Sequence, residues 1–167
     1  YTAAKLKNKK KGKKFADDVL SILLLVLIFI VTLAEIFTPY LLYLIAPGFV
    51  TDDIKFNLAV ELTRITFPFL LFISLASFFS GILNSNNKFA ASAAAPIILN
   101  IVLIVVLCIS YIENLDVAKQ LSYGVTIAGI LQLIFLIFFT YRFYKPKIKF
   151  LLKICLLYTS PSPRDNR

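Results

Sequence analysis

The chain has 167 residues, of which 59% are hydrophobic and only 16% carry a charge. Soluble domains contain about 45–50% apolar residues. This composition and a mean hydropathy of +0.84 therefore exclude an ordinary soluble domain and indicate an integral membrane protein. Histidine is absent, and no acidic cluster has metal-ligand spacing, so we expect no cofactor, no metal site and no histidine base.

The net charge of +9 is concentrated in two basic clusters, one near each end of the chain. Such clusters can bind nucleic acid. Here both adjoin long apolar stretches, where Lys and Arg hold helix ends on the cytoplasmic side of a membrane, next to anionic lipid. We therefore predict basic cytoplasmic segments at residues 1–18 and 144–154, with membrane lipids as partners and no nucleic acid.

Four apolar stretches are long enough to cross a bilayer, which takes about 20 residues. They lie at about 19–45, 62–83, 90–112 and 120–143. In hydrocarbon, a helix satisfies its backbone hydrogen bonds within its own segment, whereas an isolated strand does not. The predicted fold class is therefore an all-α integral membrane protein with four transmembrane helices.

The first predicted helix is retained in the mature protein, because its apolar stretch is too long for a cleaved signal peptide. The chain begins at Tyr1 rather than at Met, which indicates an N-terminal truncation.

After the first span come the turn residues Pro47 and Gly48, and then Ile54 and Leu58 at helical spacing. This pattern predicts a short interfacial helix at about 51–61.

The second and third spans are joined by a short polar loop at residues 84–89, so we predict that they pack as an antiparallel hairpin. The third span opens with small residues at 90–95, which allow a neighbouring helix to approach closely. Two further pairs of small residues, Ser77 with Gly81 and Gly124 with Ala128, have the spacing of helix–helix contacts.

Basic residues before the first span, at Lys88 and after the fourth span outnumber those in the opposite loops, which contain Lys55 and Lys119. The positive-inside rule then places both chain ends in the cytoplasm.

Charged residues inside the spans are candidates for a transport pathway, because they are costly in lipid. Glu35 either faces a cavity or anchors a tilted helix at the interface. Arg64 either faces a cavity, where it would attract phosphate or carboxylate, or extends its side chain to the membrane surface.

Prolines and amides within the spans are the second group of candidates. Pro39, Pro68 and Pro96 can each kink a helix, although membrane helices also tolerate proline. Asn100 and Gln132 carry amides that need partners in hydrocarbon, and hydrogen bonds between helices are the simpler explanation for them.

Sequence strings at residues 46–49, 64–77, 81–84 and 95–100 resemble, in this order and spacing, the MurJ (MviN) lipid II flippase family of bacterial peptidoglycan synthesis. Residues 124–133 are similar to the sixth helix of that family. The resemblance covers about the first 150 residues. It implies the third to sixth helices of a fourteen-helix MOP-superfamily fold, within its N-terminal lobe.

The resemblance also implies a function. It is movement of lipid II from the inner to the outer leaflet of the bacterial inner membrane by alternating access, without covalent chemistry. Lipid II and the remaining helices of a full-length protein are the implied partners. Pro96 and Asn100 lie on the matching proline–asparagine helix, and Arg64 lies where the family tends to have a basic residue. With Glu35 and Gln132, these are our substrate-cavity candidates.

Residues 155–167 depart from the family pattern and are typical of a sequencing adapter translated in frame, so we predict a non-native tail. A genuine proline-containing tail is the alternative.

Two other functions are weighed against lipid II transport. One is export of polysaccharide or drugs within the same superfamily, and the other is a small membrane scaffold or anchor subunit. An enzyme is not expected, because no nucleophile–base pair is evident.

Overall fold

A computed structural model describes residues 9–49 and 51–147. The predicted tail at 155–167 and parts of both predicted basic segments lie outside these residues. The described chain forms four long helices with short connections and contains no strand, which confirms the predicted all-α class. The helices are α1 (Lys9–Ile45), α2 (Asp53–Asn84), α3 (Phe89–Ile112) and α4 (Val117–Thr140), with one 3-10 turn at Pro47–Phe49.

All four helices are long and apolar enough to span a bilayer, α1 from Gly12 onward. α4 begins three residues before the predicted start at 120 and ends three residues before the predicted end at 143. The earlier start has a local cause, because the Asp116 carboxylate accepts hydrogen bonds from the amides of Ala118 and Lys119. A carboxylate at this position satisfies amides that have no partner within the helix.

α2 is one continuous helix of 32 residues, where the sequence predicted a short interfacial helix at 51–61 followed by a separate span. Its first amides, from Ile54 and Lys55, donate to the Asp52 carboxylate at 3.1 and 3.2 Å. The hydrogen bond from the Lys55 side chain lowers the pKa of that carboxyl below its usual range. No glycine or proline occurs between this cap and Pro68, so nothing interrupts the helix there.

The turns between the later helices depend on two asparagines with left-handed backbones, Asn87 with φ of 58° and Asn114 with φ of 51°. Asparagine tolerates this conformation better than most residues that carry a side chain. Beyond Asn114, the amide of Leu115 donates to the carbonyl of Ser110 at 3.0 Å and closes the end of α3. Two tight turns thus place α2, α3 and α4 antiparallel in succession.

The helices pack in the spatial order α1, α2, α4, α3. α4 lies between α2 and α3, and these two contact each other far less than either contacts α4. The predicted direct hairpin of the second and third spans is therefore wrong along most of its length. A contact is retained close to their turn, where the Ser92 hydroxyl donates to the carbonyl of Ser80 at 3.2 Å.

Two glycines on different faces of α4 explain how it fits between its neighbours. A Cβ added at Gly129 would lie 2.7 Å from Cδ2 of Phe69 on α2. A Cβ added at Gly124 would lie 3.2 Å from Cγ2 of Val106 on α3. The predicted Gly124–Ala128 pair is buried, whereas Gly81 has open space where its Cβ would be. Small residues of α4 therefore allow the close packing of all three helices.

The largest apolar core lies at what we call the basic end of the bundle, formed by the start of α1, the α2–α3 turn and the end of α4. Its most buried side chains come from all four helices and from Tyr144. Many apolar residues elsewhere on α1 are exposed, including Phe29 at 64%. The opposite end, which we call the loop end, contains the 3-10 turn and the α3–α4 connection.

Candidate functional site

Glu35 and Arg64 are brought together by the packing of α1 against α2. Glu35 is half-buried on α1, Arg64 is exposed on α2, and the two opposite charges interact electrostatically. The guanidinium nitrogens of Arg64 and the carboxylate oxygens of Glu35 are more than 4 Å apart, so the two side chains do not form a direct ion pair. An opposite charge nearby lowers the cost of keeping each group within an apolar span. These two candidates therefore lie near each other at the contact of α1 with α2.

Pro39 lies within α1 and has no amide to donate to the carbonyl of Glu35 four residues earlier. Thr38 is fully buried, and its hydroxyl donates instead to the carbonyls of Ala34 and Glu35, at 2.8 and 3.1 Å. A local side-chain bond therefore replaces the missing backbone bond. Pro39 is accommodated within a continuous α1 without a loss of hydrogen bonding at this carbonyl.

The segment of α2 that carries Arg64 is fixed to α4 by a hydrogen bond that the sequence analysis missed. Thr126 of α4 donates its hydroxyl to the carbonyl of Ile65 at 2.6 Å. Ile65 lies three residues before Pro68 and directly after Arg64. The only signal in the sequence was a hydroxyl side chain within a membrane span. Such a hydroxyl can equally donate to a carbonyl of its own helix. The partner helix could not be inferred from that.

Gln132 makes the corresponding contact from α4 to α3. Its side chain is 2% exposed, and its Nε2 donates to the carbonyl of Ala95, directly before Pro96, at 2.9 Å. Within the described residues, the Oε1 atom of Gln132 is buried and has no hydrogen-bond partner. The geometry therefore gives Gln132 the interhelical role that the sequence analysis considered simplest.

Pro96 and Asn100 are both exposed on α3, on the surface that α4 does not cover. The five candidates thus fall into two groups. Glu35 and Arg64 lie at the contact of α1 with α2, while Gln132 lies at the contact of α3 with α4. Pro96 follows the carbonyl that Gln132 contacts, and Asn100 lies one turn further along the exposed face of α3. α4 connects the groups, because Thr126 bonds to α2 and Gln132 bonds to α3.

A buried carboxylate at the basic end was not predicted to have a role. Asp17 is 3% exposed and accepts hydrogen bonds from the Tyr144 hydroxyl at 2.6 Å and from the amide of Lys147 at 3.1 Å. Tyr144 also packs edge-on against Phe78 of α2. These contacts join the start of α1 to the segment that follows α4. An acidic residue within a lysine-rich segment is usually solvated, and so the sequence offered no sign of this.

At the loop end, Lys119 of α4 forms an ion pair with Glu61 of α2. Both side chains are about half exposed, so solvent screens the pair and it contributes little to stability. It nevertheless brings the start of α4 next to α2, consistent with the order of packing described above.

A family model described as lipid II flippase MurJ matches residues 1–155. A probable lipid II flippase MurJ of Rickettsia prowazekii is 44% identical over 138 residues, which are 81% of this chain and 27% of the relative. One of Rhizobium tropici is 41% identical over 126 residues, or 73% of this chain and 24% of the relative. The lipid II flippase MurJ of Burkholderia cenocepacia is 36% identical over 94 residues, covering 56% of this chain and 18% of the relative. The chain spans about a quarter of the length of the first two relatives.

Proposed function

Because this chain belongs to the lipid II flippase MurJ family, we propose that it forms a four-helix part of a transporter that moves lipid II across the bacterial inner membrane. The observation that carries the proposal is the family match over residues 1–155. The resemblance found in the sequence strings is thereby confirmed. The chain is a multi-pass membrane protein. Its placement as the third to sixth helices of an N-terminal lobe stays a prediction.

The proposed transport step is alternating access, in which packed helices move around a polar pathway without covalent chemistry. Arg64 is our candidate for contact with the pyrophosphate of lipid II, since a guanidinium binds phosphate oxygens in a bidentate manner. Glu35 lies near Arg64 on the neighbouring helix and interacts with its charge. Asn100, exposed on α3, is a candidate hydrogen-bonding partner for the polar headgroup.

Pro96 and Gln132 have a positioning role in this proposal rather than direct contact with substrate. Gln132 is buried and bonds to the carbonyl next to Pro96, so it fixes the part of α3 that leads to Asn100. Thr126 does the same for the part of α2 that carries Arg64. Motion of α4 would therefore be transmitted to both neighbouring helices.

We place both ends of the chain in the cytoplasm. The support comes from how the cations are distributed between the two ends of the bundle. At the loop end, Lys55 is paired with Asp52 at 2.9 Å and Lys119 is paired with Glu61. The basic end combines Lys88 and Arg142 with the lysine-rich start of α1. An excess of cations marks the cytoplasmic side of a membrane protein. No observation favours polysaccharide or drug export, or a scaffold role, over this proposal.

The test is complementation with a chimera. Residues 9–147 of this chain replace the matching segment of the full-length Rickettsia prowazekii relative, and the chimera is expressed in bacteria depleted of their own lipid II flippase. Rescue of growth by the chimera, at the level given by the unaltered relative, is the expected result. A chimera that reaches the membrane in equal amount but does not rescue growth would overturn the proposal.

A further inference from the structure

A groove of about 1100 Å³ opens at the basic end of the bundle, and the proposed transport step does not use it. It lies between the α2–α3 turn, the first turn of α3 and the last turns of α4. Most of its surface is apolar, and Ala90, Ile134 and Phe138 are among the residues that line it. Two cations, Lys88 and Arg142, line it as well.

The groove exists because small and large side chains face each other across it. α3 begins with alanines after Phe89, so its first turn fills little of the space beside α4. Opposite these alanines, Phe138 of α4 is 73% exposed, which is high for a phenylalanine. Its ring packs edge-on against Phe139 of the same helix, and the exposed remainder is an apolar surface suited to hydrocarbon.

The charged part of the groove is entirely positive within the described residues, since none of the residues that line it is acidic. Lys88 Nζ lies 6.0 Å from the centre of the Phe143 ring, which holds the ammonium next to the groove. The residue before α3, Lys88, makes no side-chain hydrogen bond to the first amides of the helix. These amides belong to the residues after Lys88 that line the groove. An anion placed between Lys88 and Arg142 would have complementary charge on both sides.

We propose that this groove binds an anionic glycerophospholipid, with its phosphate between Lys88 and Arg142 and one acyl chain along Ala90, Ile134 and Phe138. A soluble anion would leave the apolar wall without a partner, and a neutral lipid would not use the two cations. The position fits a membrane lipid, because these cations lie where two apolar helices begin and end. The proposal is independent of the transport function and of the substrate of the family.

The test uses the full chain in phospholipid vesicles with a tryptophan placed in the groove, Phe138→Trp. The sequence contains no tryptophan, so this residue is the only indole fluorophore. Its quenching is compared between lipids with brominated acyl chains, phosphatidylglycerol in one sample and phosphatidylcholine in the other. Since a single Lys or Arg near an anionic surface favours binding by about fivefold, we expect phosphatidylglycerol to bind about fivefold or more tightly.

Three variants make the result specific to the groove. The double change Lys88→Gln and Arg142→Gln should reduce the preference for phosphatidylglycerol to about onefold. Lys14→Gln is the matched control and should keep the full preference, because Lys14 lies exposed on α1 at the same end and does not line the groove. A tryptophan placed instead on α1, by Phe29→Trp, should be quenched equally by both lipids. Circular dichroism confirms that each variant retains its helices.

Equal quenching of the Phe138→Trp indole by the two brominated lipids would overturn the proposal. The same holds if neither lipid quenches this indole, which would show that protein fills the groove, either another segment or a second copy of the chain. A loss of preference in Lys14→Gln equal to that in the double variant would assign the effect to general surface charge and would also overturn it.

Discussion

Gln132 on α4 donates its side-chain amide to the carbonyl of Ala95 on α3 at 2.9 Å, directly before Pro96. On another face of the same helix, Thr126 donates to the carbonyl of Ile65 on α2, three residues before Pro68. α4 therefore bonds to both neighbouring helices beside their prolines. These two bonds connect the parts of the chain that carry the candidate transport residues.

The first prediction concerns the buried amide of Gln132. We expect Gln132→Leu to change the free energy of unfolding by no more than about 1 kcal/mol, because losing the hydrogen bond is offset by removing a buried oxygen without a partner. At a pH where the new side chain is ionised, Gln132→Glu should lower it by about 3 kcal/mol, because a carboxylate in an apolar contact cannot donate to the Ala95 carbonyl. Unfolding by sodium dodecyl sulfate in mixed micelles measures both. An equal loss for the two variants would contradict this account of Gln132.

The second prediction concerns the close approach of α4 to α2. Gly129→Ala should lower the free energy of unfolding by about 1–3 kcal/mol, because the added Cβ would lie 2.7 Å from the Phe69 ring. Gly81→Ala is the matched control, since nothing lies within 4 Å of its added Cβ. That variant should be neutral, or stabilised by up to about 1 kcal/mol through helix propensity. If Gly129→Ala were as well tolerated as the control, the packing of α4 against α2 would be incorrect.

Hydropathy was sufficient to predict the existence of the four helices, because about 20 apolar residues in lipid can satisfy their backbone only as a helix. It could not predict which helices are neighbours. Side chains that face lipid are as apolar as those that face protein, so no polar face marks the exposed side. The short loop at 84–89 favoured direct pairing of its two spans, whereas small residues on two faces of α4 place that helix between them.

The candidate site was predictable only in part. Glu35, Arg64 and Gln132 were identified because polar side chains are rare in membrane spans. Their partners were not identified, because Gln132 bonds to a main-chain carbonyl that any residue would supply. Asp17 was missed because the sequence around it is lysine-rich, and its burial depends on Tyr144, which is 127 residues away along the chain.

The third prediction tests the bond between Thr126 and α2. Thr126→Val keeps the shape of the side chain but leaves the Ile65 carbonyl without this donor, and should cost about 0.6–1.7 kcal/mol of unfolding free energy. The control is Thr66→Val, whose hydroxyl bonds only to carbonyls of its own helix. The account requires a larger loss for Thr126→Val than for Thr66→Val in the same mixed micelles.

The fourth prediction concerns the buried contact at the basic end. Tyr144→Phe removes a donor to the Asp17 carboxylate and should lower the free energy of unfolding by about 1.5–3 kcal/mol, as expected for a hydrogen bond to a charged group. In an Asp17→Asn background the same change should cost less, because the acceptor is no longer charged. Tyr141→Phe, at an exposed tyrosine of the same segment, should have no measurable effect. Equal effects of Tyr144→Phe in both backgrounds would show that the carboxylate is not its partner.

The fifth prediction concerns transport by the chimera described above. Arg64→Ala and Asn100→Ala should each impair growth rescue, whereas Ile97→Ala, at an exposed apolar position of α3, should not. Arg64→Lys should be intermediate, because an ammonium keeps the charge but not the bidentate geometry of a guanidinium. Rescue at the control level by both alanine variants would remove these residues from the proposed pathway.

The position of α4 between α2 and α3 is tested most directly by disulfide cross-linking within the chimera, with its native cysteines replaced by serine. The pair Phe72→Cys with Gly129→Cys should cross-link rapidly under mild oxidation, because a Cβ added at Gly129 of α4 would lie 3.2 Å from the Cβ of Phe72 on α2. The pair Ser74→Cys with Leu99→Cys, equally distant from the α2–α3 turn, should not cross-link. Cross-linking of the second pair without the first would show that α2 and α3 pack directly, and would contradict this account.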